Sequence, residues 1–349
     1  MFLRRPSRVA LVILTVALSL AACNRVEEPV SERRPASSSP GAPLAASPAP
    51  ATAQLPALAQ LLTLPTSAYQ ASLFADDEAI ELLTNSAAYR LLPGKEPLQR
   101  ALDLGFAATV TRGSYVYWSA GAIWSASRRV PSSATKKLAD LDEQPQRFVA
   151  DLAGDAFAWL AHSADDRYAI DTLASRSVKR LYTSPGSIDA LTMIGDVVYF
   201  VERPDGTGWR IARVKLSGGD ATFTARKTGR WPAMLRGNRD HLVFYDGNQR
   251  DVLTLSPDLQ QERTLAKDFI CSPLALAADV YCSTMEGIFE LPIVGKPQRV
   301  AAASRNLITN LAASAERLAF ISDVGGQGQD QLAVNVVLLS KPNPAEAPH

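Results

Sequence analysis

Histidine and cysteine are scarce in this sequence, with three of each in 349 residues. His162, His241 and His349 lie far apart, and the cysteines stand at Cys23, Cys271 and Cys282, so no zinc-ligand spacing is present. The chain also lacks a G-x-S-x-G elbow, a P-loop and an H-E-x-x-H pair, which removes the familiar motif-borne routes to acyl transfer, phosphate cradling and metalloproteolysis. Charge of one sign is missing too. Lys plus Arg number 36 against 35 Asp plus Glu, leaving no electrostatic case for nucleic acid or an anionic membrane surface. No helical periodicity runs through the body of the chain, which argues against a helical domain.

What is present begins at the N-terminus. Arg4, Arg5 and Arg8 precede an apolar run, Val9 to Leu20, broken only by Thr15 and Ser19. A basic segment followed by a short apolar one reads as a secretory signal, and the run is too short to span a bilayer comfortably. It ends in Leu20-Ala21-Ala22-Cys23. Small residues there leave the scissile backbone open to a peptidase, and the cysteine supplies a thiol for lipid. These four residues resemble the bacterial lipobox. The resemblance implies cleavage after residue 22 and acylation of Cys23, with a diacylglyceryl group and usually a third acyl chain. Several chains, at about 0.8 kcal/mol per buried CH₂, make a stable anchor. Asn24 in place of the aspartate that commonly retains enterobacterial lipoproteins favours the outer membrane over the inner. The expected compartment is therefore the cell envelope, on the periplasmic or the surface face.

Four segments follow from composition: a signal peptide at 1–22, a lipidated cysteine and linker at 23–54, a folded domain at 55–340 and a polar tail at 341–349. The linker is rich in Pro, Ala and Ser and holds too little apolar surface to offset its ordering entropy, so it reads as a disordered tether.

The folded domain repeats. Turn-side residues Glu78, Ser114, Asp155, Asp196, Asp240, Ala278 and Glu316 recur every 36 to 44 residues. Two residues after each stand Ile80, Val116, Phe157, Val198, Leu242, Val280 and Leu318, and four after each stand Leu82, Trp118, Trp159, Phe200, Phe244, Cys282 and Phe320. Apolar columns at alternate positions demand a strand with a buried face. Further strands are expected at Ala122 to Ser127, Trp209 to Leu216, Lys136 to Ala139 and Arg263 to Ala266. Four short antiparallel strands per forty-residue unit predict an all-β propeller, with seven blades from seven columns and six as the alternative. The last unit stops after three strands, at Leu332 to Leu339. The apolar segment Ala57 to Leu64 is placed to supply the fourth and close the ring, removing an exposed edge. Units such as Tyr115-Val116-Tyr117-Trp118-Ser119 and Asp196-Val197-Val198-Tyr199-Phe200 resemble TolB-like and Tyr-Trp-rich propeller repeats. That likeness implies the fold and transfers no function.

Candidate chemistry is sparse. Export makes a Cys271–Cys282 disulfide reasonable, because the two flank the turn near Ala278 at similar distances on consecutive strands. The alternative is a buried thiol at Cys282 in the aromatic column. Asp76-Asp77 and Asp165-Asp166 lack the alternating spacing of calcium loops, and no metal or cofactor is expected. Gly325 to Asp330 lacks a phosphate loop's lysine and reads as a turn. His241 reads as a framework residue and His162 as part of a solvent-facing turn. Trp118 and Trp159 read as core; Trp124, Trp209 and Trp231 sit at strand ends or turns, where core is the favoured reading and a surface-lining role for one or two of them is the alternative.

These features predict a monomeric, non-catalytic scaffold lipoprotein that binds an envelope protein and is held to the membrane through the lipid on Cys23. The alternative is a lactonase or glycan-active hydrolase, or a propeller binding a small ligand or glycan in its central channel. The inner segments Leu191-Thr192-Met193-Ile194, Ala233-Met234-Leu235 and Leu274-Ala275-Leu276 are apolar, with Asp189 one of few acids nearby. A filled apolar channel would remove the alternative; a ring of convergent polar groups would favour it.

Overall fold

The computed structural model describes residues 58–339 apart from 93–98, 105–106, 131–133, 163–166, 233, 303, 305 and 325–329. Among these residues every element is a strand except one 3₁₀ turn, Ala68–Gln70. The chain opens with β1 (Leu58–Leu64) and then builds blade 1 from β2 (Ser72–Ala75), β3 (Ile80–Leu83), β4 (Ala87–Leu91) and β5 (Gln99–Asp103). Blade 2 is β6 (Ala107–Val110), β7 (Ser114–Ser119), β8 (Ala122–Ser127) and β9 (Lys136–Asp140). Blade 3 is β10 (Arg147–Ala150), β11 (Phe157–His162), β12 (Tyr168–Ala174) and β13 (Ser177–Thr183). Blade 4 holds β14 (Ser187–Ile194), β15 (Val197–Arg203), β16 (Arg210–Lys215) and the two-residue β17 (Thr222–Phe223). Blade 5 holds β18 (Leu235–Gly237), β19 (Leu242–Asp246), β20 (Asp251–Leu255) and β21 (Glu262–Ala266). Blade 6 holds β22 (Leu274–Leu276), β23 (Val280–Thr284), β24 (Gly287–Leu291) and β25 (Gln298–Ala302). Blade 7 takes β26 (Ile308–Ala313), β27 (Arg317–Asp323) and β28 (Leu332–Leu338) from the far end of the chain.

Seven four-stranded blades therefore form the ring. The strand that completes blade 7 is β1, which pairs antiparallel with β28 from Leu58↔Val337 to Leu64↔Leu332. The two ends of the domain are thus hydrogen-bonded into one sheet, and no edge of that blade is left unpaired on that side.

Burial follows position within a blade. The second strands lie between neighbouring blades and are covered on both faces: β3 is buried at all four positions, and β27 at six of seven. The fourth strands form the circumference and are largely exposed, as in β9. The core sits between blades. Leu73, Ile80 and Leu82 of blade 1 pack with Ala319, Ile321 and Val334 of blade 7, and Tyr199 and Trp209 of blade 4 pack with Leu242 and Phe244 of blade 5. Each such large side chain contributes about 1.5–3 kcal/mol by leaving water.

The turns after the first strands repeat a device. A side-chain oxygen at the strand end accepts the N–H groups two or three residues on: Asp76 from Glu78 and Ala79, Asn238 from Asp240 and His241, Ser314 from Glu316. Thr111 and Asp151 do the same for Ser114 and Ala153. These local bonds satisfy turn donors and set the register of the second strand.

Blades 1 and 2 are joined by a buried ionic network. Arg128 donates to Glu81 at 3.0 Å and to Asp76 at 2.8 Å, and the Tyr115 hydroxyl donates to the other Glu81 oxygen at 2.7 Å. Arg90 lies 3.1 Å from Glu81, a side chain with no exposure at all. Burial pushes the Glu81 carboxyl above its ordinary value despite these donors. Burial also raises Asp76, but the Arg128 and backbone bonds outweigh it and hold this carboxyl below the usual range.

Candidate functional site

The first strand of every blade lines the axis. Small residues dominate there, including Ala107 and Ala108 of β6, Gly237 of β18 and Ala275 of β22, so the axis stays open. At Gly237 a Cβ would lie 2.7 Å from the Ile194 side chain of the adjacent blade, so a larger residue there would push the Ile194 tip aside. The resulting cavity measures about 540 Å³, within the range of small-ligand sites. The channel is therefore not filled, in contrast with the apolar inner segments expected from sequence.

Nor is it apolar. Arg147, the first residue of β10, and Arg236, the middle residue of β18, both line the cavity, together with Gln146, Thr192 and Asn310. Arg147 donates one hydrogen bond, to the Asp189 carbonyl at 3.4 Å, and Arg236 donates one, to the Leu235 carbonyl at 3.3 Å. Neither has a carboxylate within 4 Å among the described residues. Surrounding protein lowers the Arg147 pKa, with the Asp189 charge acting against the shift. Burial, and then the charge of Arg147, push Arg236 down to about 10. The two guanidinium groups thus feel each other across the channel. Asp189 itself is committed to Arg203, at 2.7 and 3.2 Å, and Arg203 stacks on the Trp231 ring at 3.7 Å. On blade 7, Asn310 donates to the Ala71 carbonyl at 3.4 Å while its own side-chain oxygen is buried without a partner.

Sequence reasoning missed both arginines. The available signal was a lone arginine in each of two otherwise apolar inner strands, Arg147-Phe148-Val149 and Leu235-Arg236-Gly237.

Exposed apolar side chains sort by face. The turn between second and third strands and the link to the next blade lie on one face of a propeller; the other turns lie on the opposite face. On the first face stand Tyr69 (68% exposed), Trp231 (37%), Ile270 (50%), Met285 (89%) and Leu307 (60%), on turns spanning blade 5 through blade 1. Leu92, Val130, Val294 and Leu338 occupy the opposite face, which carries no exposed aromatic or Met among the described residues. Tyr69 also lines the channel cavity.

Of the residues singled out from sequence, Cys23 lies outside the described residues. Cys271 and Cys282 are joined by a disulfide, with Cα atoms 5.4 Å apart and both side chains buried. They are not opposed strand positions. Leu274 pairs with Cys282, and Cys271 sits on the link preceding β22. His162 ends β11 and packs against Tyr168 with the rings tilted at 44° and centroids 4.6 Å apart, instead of standing in a turn. His241 is half-buried just before β19. Trp159 is core as expected, but Trp118 is half-buried and donates to the Leu141 carbonyl. Trp209 is buried against Phe244, in line with the favoured core reading, and Trp124 is half-buried with its N–H on the Ser119 carbonyl. Asp76 serves its turn and Arg128; Asp165, Asp166 and Gly325 to Gln329 lie outside the described residues. No group of three or more His, Cys, Asp or Glu side chains converges among the described residues.

No protein-family model and no curated protein matches the chain. Solved structures do. One is PorZ, described as an essential bacterial surface component of the type-IX secretion system of Porphyromonas gingivalis, with a TM-score of 0.51 and 10% identity over 82% of this chain. The match spans only 39% of the PorZ structure. Another is the WD40 β-propeller domain of Doa1, with a TM-score of 0.55 and 8% identity over 80% of this chain and 97% of that one. At these identities the likeness is one of fold: this chain is a seven-bladed β-propeller similar to both.

Proposed function

We propose that this chain is a lipoprotein of the bacterial envelope, anchored through Cys23, whose monomeric propeller is a non-catalytic scaffold for a protein partner. The repeats around Tyr115 and Val198 resemble those of TolB-like and Tyr-Trp-rich propellers, which supports this reading. The observation that carries the reading is the apolar set on one face: Tyr69, Trp231, Ile270, Met285 and Leu307, on neighbouring turns. Aromatic residues and methionine are the types enriched where proteins meet, and apolar patches on a soluble surface mark contact sites. Turns from several blades converge on that face, giving a broad rigid platform. The Cys271–Cys282 bridge supports export, because disulfides persist in oxidising compartments. The outer membrane is the expected leaflet, from Asn24. The hydrolase alternative lacks a motivating constellation among the described residues. The small-ligand alternative draws support from Arg147 and Arg236.

The test pairs two variants, Met285→Asp with Leu307→Asp, in the full lipidated chain. Affinity capture from solubilised membranes should yield a reproducible partner with the native protein and lose it with the double variant at an unchanged melting temperature. A partner retained at native yield by the double variant would overturn the face assignment.

A further inference from the structure

We infer that the axial channel is a binding site for a small hydroxylated organic anion, its carboxylate or phosphate held between Arg147 and Arg236. The inference stands apart from the protein-partner reading, which concerns the apolar turns of one face.

The first ground is an unmet charge. Two guanidinium groups line one cavity, on blades 3 and 5, with ten N–H donors between them. Each makes a single long bond to a backbone carbonyl, at 3.4 and 3.3 Å. The nearby acids are occupied: Asp189 by Arg203, and Asp151 by the backbone N–H groups of Ala153 and Gly195 at 3.1 Å each. Like charges lining one channel repel, and the charge of Arg147 adds to burial, the larger cause, in lowering the Arg236 pKa. An oxyanion between them accepts several of the free donors at once and removes the repulsion.

Size and polarity narrow the ligand. A cavity of about 540 Å³ is far larger than an inorganic ion needs and fits a compact organic molecule. The polar side chains of Gln146 and Thr192 line the same cavity. A ligand hydroxyl pairs with these groups. Hydroxy acids and sugar phosphates combine both features; a neutral sugar offers nothing to the arginines.

Calorimetric titration of the full chain in low-chloride buffer tests this, with citrate and glucose 6-phosphate as probes and glucose as the neutral control. The two anions should bind and glucose should not. Arg147→Gln and Arg236→Gln should each weaken binding at least ten-fold, while Arg263→Gln, on an outer strand, leaves it unchanged. Both channel variants should melt at or above the wild-type temperature without ligand, which separates lost binding from lost folding. Failure of both anions to bind the wild-type chain, or equal binding by the channel variants, would overturn the inference.

Discussion

Arg128→Met should destabilise the propeller by about 3 kcal/mol. Breaking one partner out of a buried ion pair costs about 3–5 kcal/mol, because the remaining charge is left without compensation. Here Glu81 keeps Arg90 at 3.1 Å and the Tyr115 hydroxyl at 2.7 Å, which places the cost at the lower end of that range. Asp76 loses Arg128 but remains partly exposed and keeps two backbone donors, so it adds little. At about 2 °C per kcal/mol for a domain of this size, the melting temperature should fall by about 6 °C. Scanning calorimetry and urea titration followed by tryptophan fluorescence both report this. Glu81→Gln in the Arg128→Met background should recover about 1–2 kcal/mol, since it removes the stranded charge. A melting temperature within 1 °C of wild type, or no recovery in the double variant, would refute the reasoning.

Other outcomes follow from the same geometry. Replacing Cys271 and Cys282 together by alanine should cost about 3 kcal/mol in urea titration, from the entropy of an 11-residue separation released in the unfolded chain. Asp76→Asn should flatten the acid limb of the stability curve. The folded Asp76 carboxyl titrates below its ordinary value, so its contribution is present at neutral pH and is lost as pH falls through the ordinary carboxylate range and below it. Arg236→Gln should stabilise the ligand-free protein at pH 7 by about 1 kcal/mol. The drop to about 10 sets a ceiling of roughly 3 kcal/mol, which channel water screens, and the penalty in the wild type is relieved only as pH rises through that value. Gly186→Ala should cost about 1–3 kcal/mol, because its Cβ would fall 2.0 Å from the Arg203 carbonyl oxygen.

The seven blades were legible because each second strand is sandwiched between neighbours. Ile80 with Leu82, or Val198 with Phe200, must be apolar whatever the partner, and that constraint recurs every forty residues. Closure by β1 was legible for a similar reason, since three strands at 308–338 left one edge open. Outer strands such as β9 meet solvent along most of their length and carry little pattern. The channel was harder to read. An inner strand presents alternate residues to the axis, so Arg236 between Leu235 and Gly237 stands out as a lone arginine without the sequence telling whether it faces the channel or bulk water. The disulfide was anticipated from export. Its route was not, because Cys271 reaches Cys282 from the link before β22.

The scaffold reading is tested most directly by photo-crosslinking in intact cells. A photoreactive amino acid would be placed at Met285 or Leu307, with controls at Val294 on the opposite face and Val178 on the circumference. Discrete adducts of one mass from positions 285 and 307, absent from 294 and 178, are the predicted result. Adducts from the control positions alone, or none from any of the four, would contradict it.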